Sequence, residues 1–263
     1  MKALKHTLSA LVVVAALAGA SGAQAAGGVE LKKQVWPWAG IFGSYNQDGL
    51  RRGFQVYREV CSNCHSLRLV SYRNLADLGF TADQIKEIAA EREVLAEPRD
   101  DGKIMDEQGN LFTRPAIAAD KFVDPYPNEA AAKAANGGAL PPDLSLMAKA
   151  RVGGPDYIYS LMTGYVTAPL EVTVAPGKSY NAYFPGHMIS MPAPLFEGAV
   201  EYADGTEATL DQMARDVAQF LNWAAEPELN ERHALGLKFM LFLFVLTALM
   251  YALKRKIWED VPH

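Results

Sequence analysis

Apolar side chains recur at helical spacing along much of this chain and alternate as a strand would almost nowhere. Leu50, Phe54, Tyr57 and Val60 or Cys61 share one face of a helix predicted over residues 47–62, with Asp48 near its start. Thr81 as N-cap and Ile85, Ile88, Ala89 and Val94 as apolar side predict a second helix over residues 82–96. Pro141-Pro142-Asp143 opens a third through Leu144, Leu146, Met147 and Ala150; Gly153-Gly154-Pro155 ends it, and residues 156–163 predict a short fourth. Thr209 starts a fifth through Met213, Val217, Phe220, Leu221 and Trp223, closed by Pro227. Residues 97–138 and 169–194 are punctuated by Pro and Gly and read as loops, and loops of such length tend to be functional. The expected fold class is mainly α, with long loops.

Two apolar runs do not belong to a globular core. Lys2, Lys5 and His6 precede the first, residues 8–18, which exits through Ala23-Gln24-Ala25. This is the pattern of a removable signal peptide over residues 1–25, and it is too short to span a bilayer. The second run, residues 234–253, has about the 20 residues of a spanning helix. Its one charge, Lys238, lies near the start, where a long side chain snorkels to the interface. Lys254, Arg255 and Lys256 follow at once, with Tyr251 and Trp258 suited to the aromatic belt. The expected organisation is an extracytoplasmic domain over residues 26–230 and a transmembrane anchor with a short tail over residues 231–263. The positive-inside rule puts the C-terminus in the cytoplasm and the large domain on the periplasmic side of a bacterial-type inner membrane.

Composition sharpens this in two ways. Net charge is −5, with 21% charged and 50% hydrophobic residues among 263, and no basic stripe marks the large domain, so nucleic acid is a poor partner. The chain has 2 cysteines, Cys61 and Cys64, which leaves nothing for a disulfide framework if both hold a cofactor.

Those cysteines stand in Cys61-Ser62-Asn63-Cys64-His65, a C-x-x-C-H sequence. Two thiols at this spacing reach the two vinyl groups on one porphyrin edge, and the imidazole that follows reaches the iron. The motif predicts one haem c, covalent through two thioethers, with His65 as an axial ligand. A thioredoxin-like motif requires a βαβ surround, which is absent, and a zinc site requires two more N or S donors at short spacing, where only the distant His187, His233 and His263 remain. The sixth ligand then decides the chemistry, since a Met thioether closes the iron to substrates and favours electron transfer. Met147, Met162 and Met213 lie on amphipathic helices, Met240 and Met250 in the apolar run, and Met105 in a charged loop. Met191, Met188 and His187 remain, within Pro185-Gly186-His187-Met188-Ile189-Ser190-Met191-Pro192-Ala193-Pro194, and the prolines after Met191 favour its rigid presentation.

The ordered set of Arg51 to Tyr57, Cys61 to Ser66, Ala139 to Ser145, Ala150-Arg151, Gly153 to Tyr157, Leu161 to Tyr165, Tyr183 to Gly186 and Trp223 to Pro227 resembles the cytochrome c1 family over nearly the whole mature chain. The resemblance implies a mainly α c-type haem domain on one C-terminal helix. It implies an electron-transfer subunit, not an enzyme on its own, within the quinol–cytochrome c oxidoreductase (bc1) complex of a respiratory or photosynthetic chain. It assigns Met191 as the axial thioether and Arg151 as the cation beside a haem propionate. The partners it implies are a cytochrome b subunit, a Rieske iron–sulfur protein as donor, cytochrome c as acceptor, and membrane lipid. Some bacterial members carry an extra cysteine pair and insertions between the positions of Arg151 and Met191; this chain has neither and is more similar to the mitochondrial form. An acidic stretch, Asp83, Glu87, Glu91, Glu93, Glu97, Asp100, Asp101, Asp106 and Glu107 against Lys86, Arg92, Arg99 and Lys103, is a candidate for steering a basic carrier.

Overall fold

The computed structural model describes residues 29–98, 102–106 and 108–260. The expected signal segment, Arg99, Asp100, Asp101 and Glu107 of the acidic stretch, and His263 lie outside the described residues. The chain divides into two units, Met1–Glu30 and Leu31–His263, and every element below belongs to the second.

Helix α1 (Gln47–Glu59) is capped by Asn46, whose side chain accepts from the Gly49 N–H at 2.8 Å. It buries Leu50, Phe54 and Tyr57 together with Gly49, Gly53 and Val56. This face packs on α6 (Leu210–Ala225), capped by Thr209 and burying Met213, Val217, Phe220, Leu221 and Trp223. Gly53 marks the closest approach: a Cβ there would lie 2.1 Å from the Asp216 carbonyl oxygen and 2.7 Å from the Phe220 Cβ. Beside it Arg52 grips the buried Asp216 carboxylate through two N–H groups, at 2.8 and 3.3 Å, and Asp204 through a third at 2.8 Å. Phe54, Tyr57, Phe122 and Phe220 then pack ring against ring, with Tyr72 stacked on Phe122 at 4.6 Å.

The mainly α class holds, and the element ends depart from the sequence expectation for identifiable reasons. The first helix stops at Glu59, not at 62, because two side chains take its last carbonyls. Ser62 Oγ donates to Arg58 at 2.7 Å and Asn63 Nδ2 to Glu59 at 3.0 Å, leaving a 3-10 turn over Cys61–Asn63. A further 3-10 helix, Tyr72–Leu78, was not expected. The second helix, α2 (Ala82–Ala90), ends early, since Glu93–Leu95 forms strand β1 and pairs antiparallel with β2 (Thr113–Pro115). The supposed loop 97–138 therefore contains β2 and also α3 (Glu129–Ala135), capped by Asn128. Of the third expected helix only α4 (Met147–Ala150) forms, because residues 143–145 are hydrogen-bonded to residues 66–69. Helix α5 spans Pro155–Met162, and the loop 169–194 holds a small ladder of β3 (Ser179–Tyr180) with β4 (Met188–Ile189).

The last helix, α7 (Leu229–Ile257), is longer than the apolar run at both ends. It has 29 residues, a mean hydropathy of 2.0 over its apolar window and no buried residue within that window, and so is a candidate membrane span. Its first turns are tied to the rest: Leu229 is buried, Asn230 Oδ1 accepts from the Tyr45 N–H at 3.0 Å, and His233 Nδ1 donates to the Gly43 carbonyl at 2.8 Å.

Candidate metal centre

Cys61, Cys64 and His65 are presented by the 3-10 turn that follows α1. The Cys64 and His65 N–H groups both donate to the Cys61 carbonyl, at 3.1 and 2.9 Å, which draws the three residues together. Both thiols are free and half-buried. Burial and then the neighbouring Cys64 push the Cys61 thiol up to about 12, the reverse of the depressed pKa of a redox or metal-bound thiolate. The Tyr126 hydroxyl donates to the Cys64 sulfur at 3.8 Å and itself accepts from Asn136 Nδ2 at 3.1 Å, so the end of α3 backs this sulfur.

The His65 ring is held by one bond. Its Nδ1 donates to the Pro142 carbonyl at 2.8 Å, and since a carbonyl can only accept, the proton sits on Nδ1 and the Nε2 lone pair is left for a metal. Desolvation lowers the ring's pKa, outweighing the Pro142 carbonyl and the Asp143 charge, so the imidazole is neutral at pH 7. Pro142 is itself fixed by its neighbour. Asp143 accepts from the Ser66 hydroxyl, the Arg68 N–H and the Ser145 N–H, each at 2.9 Å. The Leu144 N–H donates to the Ser66 carbonyl at 2.9 Å, which completes the clip. Burial works to raise the Asp143 carboxyl, but these donors outweigh it and hold it below the ordinary carboxylate value.

Met191 and Arg151 belong to a second group. The Tyr165 hydroxyl donates to the Met191 carbonyl at 3.2 Å. Burial and then the proximity of Tyr157 raise the Tyr165 phenol, and Tyr157, raised by its own burial, lies within electrostatic reach of the exposed Arg151. Electrostatic proximity links Arg151 to Tyr157 and Tyr157 to Tyr165, whose hydroxyl reaches the Met191 backbone. Segment 139–151 connects the two groups, carrying Pro142 at one end and Arg151 at the other; no hydrogen bond among the described residues joins His65 to Met191 directly. His187, the rival to Met191 on sequence grounds, has φ of +59°, stacks on Tyr180 at 5.6 Å and turns Nδ1 to the Asn181 carbonyl at 3.3 Å. Met188 pairs across the ladder with Tyr180.

Two further positioning residues were not singled out in the sequence, Gly164 entering only as part of Leu161 to Tyr165. Asn181, fully buried, donates to the Leu161 carbonyl at 2.8 Å and accepts from the Tyr183 and Phe184 N–H groups, tying α5 to the Met191 segment. Gly164 makes room for it: a Cβ would lie 2.7 Å from Asn181 Oδ1 and 2.6 Å from the Tyr183 ring. The donor set suits haem better than a bare ion. Among the described residues no three His, Cys, Asp or Glu side chains gather, so the two cysteines lack partners for a four-coordinate zinc. Two neighbouring thiols followed by a neutral imidazole with a free Nε2 are the protein groups that a covalently held c-type haem requires.

The acidic stretch is partly consumed by internal bonds. Glu91 pairs with Arg58 at 2.7 Å, Glu93 accepts from Thr113 at 2.9 Å, and Asp106 accepts from the Asn110 N–H at 2.8 Å.

The family model described as Cytochrome C1 family matches residues 36–261. A Rhodospirillum rubrum protein named cytochrome c1 is 54% identical, covering 99% of this chain and 98% of its own. A Solanum tuberosum relative, named as a mitochondrial haem protein, cytochrome c1-2, is 50% identical over 88% of this chain and 87% of its own. A Candida albicans relative, named as the mitochondrial cytochrome b-c1 complex catalytic subunit, is 48% identical over 87% and 77% respectively.

Proposed function

The chain belongs to the cytochrome c1 family, and from that premise we propose that it is the haem c subunit of a cytochrome bc1 complex, taking single electrons from a Rieske iron–sulfur protein and passing them to cytochrome c. The observation that carries the reading is the His65–Pro142 bond beside the Cys61–Cys64 turn, which readies one neutral imidazole nitrogen for iron. Cys61 and Cys64 would hold the haem through thioethers, His65 and Met191 would bind its iron, and Arg151 would partner a propionate. When bound, the haem supplies a one-electron couple; the chain on its own is a carrier and not a catalyst.

The residues around it do the rest. Pro142 and Asp143 hold the His65 ring in one tautomer. Tyr165 tethers the Met191 backbone, and the prolines that follow keep the segment from folding as helix. Arg151 offsets the desolvation of a buried propionate. Helix α7 anchors the domain, which lies on the periplasmic side with the C-terminus in the cytoplasm, as Lys254, Arg255 and Lys256 support. Cytochrome b and lipid surround the anchor.

Met191→Leu in the full-length chain is expected to lower the midpoint potential on the order of 100 mV or more, within the roughly 0.8 V that axial ligation spans. Redox titration followed at the haem absorption reads this, and an unchanged potential overturns the ligand assignment. The relay itself is tested in membranes holding the complex. Quinol should reduce this haem only while the iron–sulfur protein is present, and added cytochrome c should re-oxidise it; a haem that stays reduced overturns the reading.

A further inference from the structure

Ile41 and Phe42 occupy the tip of a tight turn in which the Gly43 N–H donates to the Gly40 carbonyl at 3.3 Å. Turn tips ordinarily carry Gly, Pro, Asn, Asp or Ser. Here two large apolar side chains stand 72% and 75% exposed. The turn is firmly built. The Ser44 N–H donates to the Pro37 carbonyl at 3.2 Å, and a Cβ on Gly43 would lie 2.3 Å from the Trp38 carbonyl carbon, so only glycine permits the fold-back.

The turn is also fixed relative to α7. The His233 ring holds the Gly43 carbonyl, and Asn230 holds the Tyr45 N–H. His233 immediately precedes the apolar run and stands five residues before Lys238, a rise of about 7.5 Å. The interfacial layer on each side of a bilayer is about 5–8 Å deep, half the difference between a thickness of about 40–45 Å and a core of about 30 Å. With α7 spanning, the turn therefore stands at headgroup level. A convex tip of two side chains is far smaller than the roughly 800 Å² per partner that a stable protein interface buries. A soft lipid boundary accommodates such a tip.

We infer that Ile41 and Phe42 insert into the outer lipid interface beside α7 as a second, shallow membrane contact that sets the height of the domain. This rests on the reading of α7 as a spanning helix. The test is collision of a nitroxide label with oxygen and with a water-soluble nickel chelate, in full-length holo chain reconstituted in phosphatidylcholine vesicles. Cys61 and Cys64 are taken up as thioethers there, so one added cysteine labels alone. Phe42→Cys and, independently, Ile41→Cys are compared with Leu170→Cys, fully exposed on the large domain, and Leu246→Cys, central in α7; the haem absorption certifies each fold. The expected oxygen-to-nickel ratio at 41 and 42 is several-fold above that at 170 and below that at 246. A ratio equal to that at 170, with 246 in the apolar core, overturns the inference alone. A label shielded from both reagents means that protein covers the tip, and also overturns it. A water-like ratio at 246 overturns the spanning reading, and the inference with it.

Discussion

The proton on His65 is placed by the Pro142 carbonyl, 77 positions further along the chain. That carbonyl is steady because Asp143 is clamped by Ser66, Arg68 and Ser145, so the carboxylate acts on the imidazole through the backbone. Its acid response has a definite sign. A carboxyl held below its unfolded value binds fewer protons when folded, so its contribution is complete above the unfolded value of about 3.9 and is lost as pH falls through the lower folded value. Asp143→Asn is expected to lower stability at pH 7 by about 2 kcal/mol, as hydrogen bonds to a charged group are replaced. It should also flatten the acid limb of stability against pH, read by denaturant titration at several pH values; an unaltered limb rejects the clamp. The Cys61–His65 spacing is legible in the sequence because covalent chemistry fixes it locally. Pro142 offers only a backbone oxygen, and Asn181 is an ordinary polar residue in a Pro/Gly-rich stretch; what makes either matter is contact across the fold, which no local pattern encodes.

At the scale of elements, α1 and α6 are legible for the same reason in reverse: a buried stripe at a period of 3.6 is written in the residues themselves. Their ends and the smaller elements are set by longer-range bonds. Val94 continues a helical stripe on paper yet pairs with Arg114, and Leu144 and Leu146 fit a helix whose first turn is instead held by Ser66 and Leu69. Helix α3 was readable, from Asn128 followed by an alanine-rich run, and was hidden by the surrounding prolines and glycines. The α1–α6 contact makes the sharpest prediction here. Gly53→Ala puts a methyl against the Asp216 backbone and is expected to cost about 1–3 kcal/mol, even though alanine is the better helix former. Thermal unfolding measures it; a rise in Tm would mean that the helices part without penalty.

For the whole molecule, α7 is hydrogen-bonded to the large domain through its first turns, and among the described residues no residue of the apolar window beyond them is buried. A chain ending at Ala234 keeps Leu229, Asn230 and His233 with their partners and loses the exposed apolar run. It is expected to stay in the aqueous phase of a detergent phase separation with its visible spectrum intact, while the full chain enters the detergent phase. A shortened chain that still partitions with detergent would assign the membrane affinity elsewhere.

The bonds from Tyr45 to Asn230 and from His233 to Gly43 bear on how such a carrier works. They leave no slack hinge between post and lamp. On the proposed function, a redox centre mounted in this way would keep its station above the membrane rather than swing out to either neighbour. On that same function, the travelling in the relay would fall to the donor that arrives and the acceptor that departs.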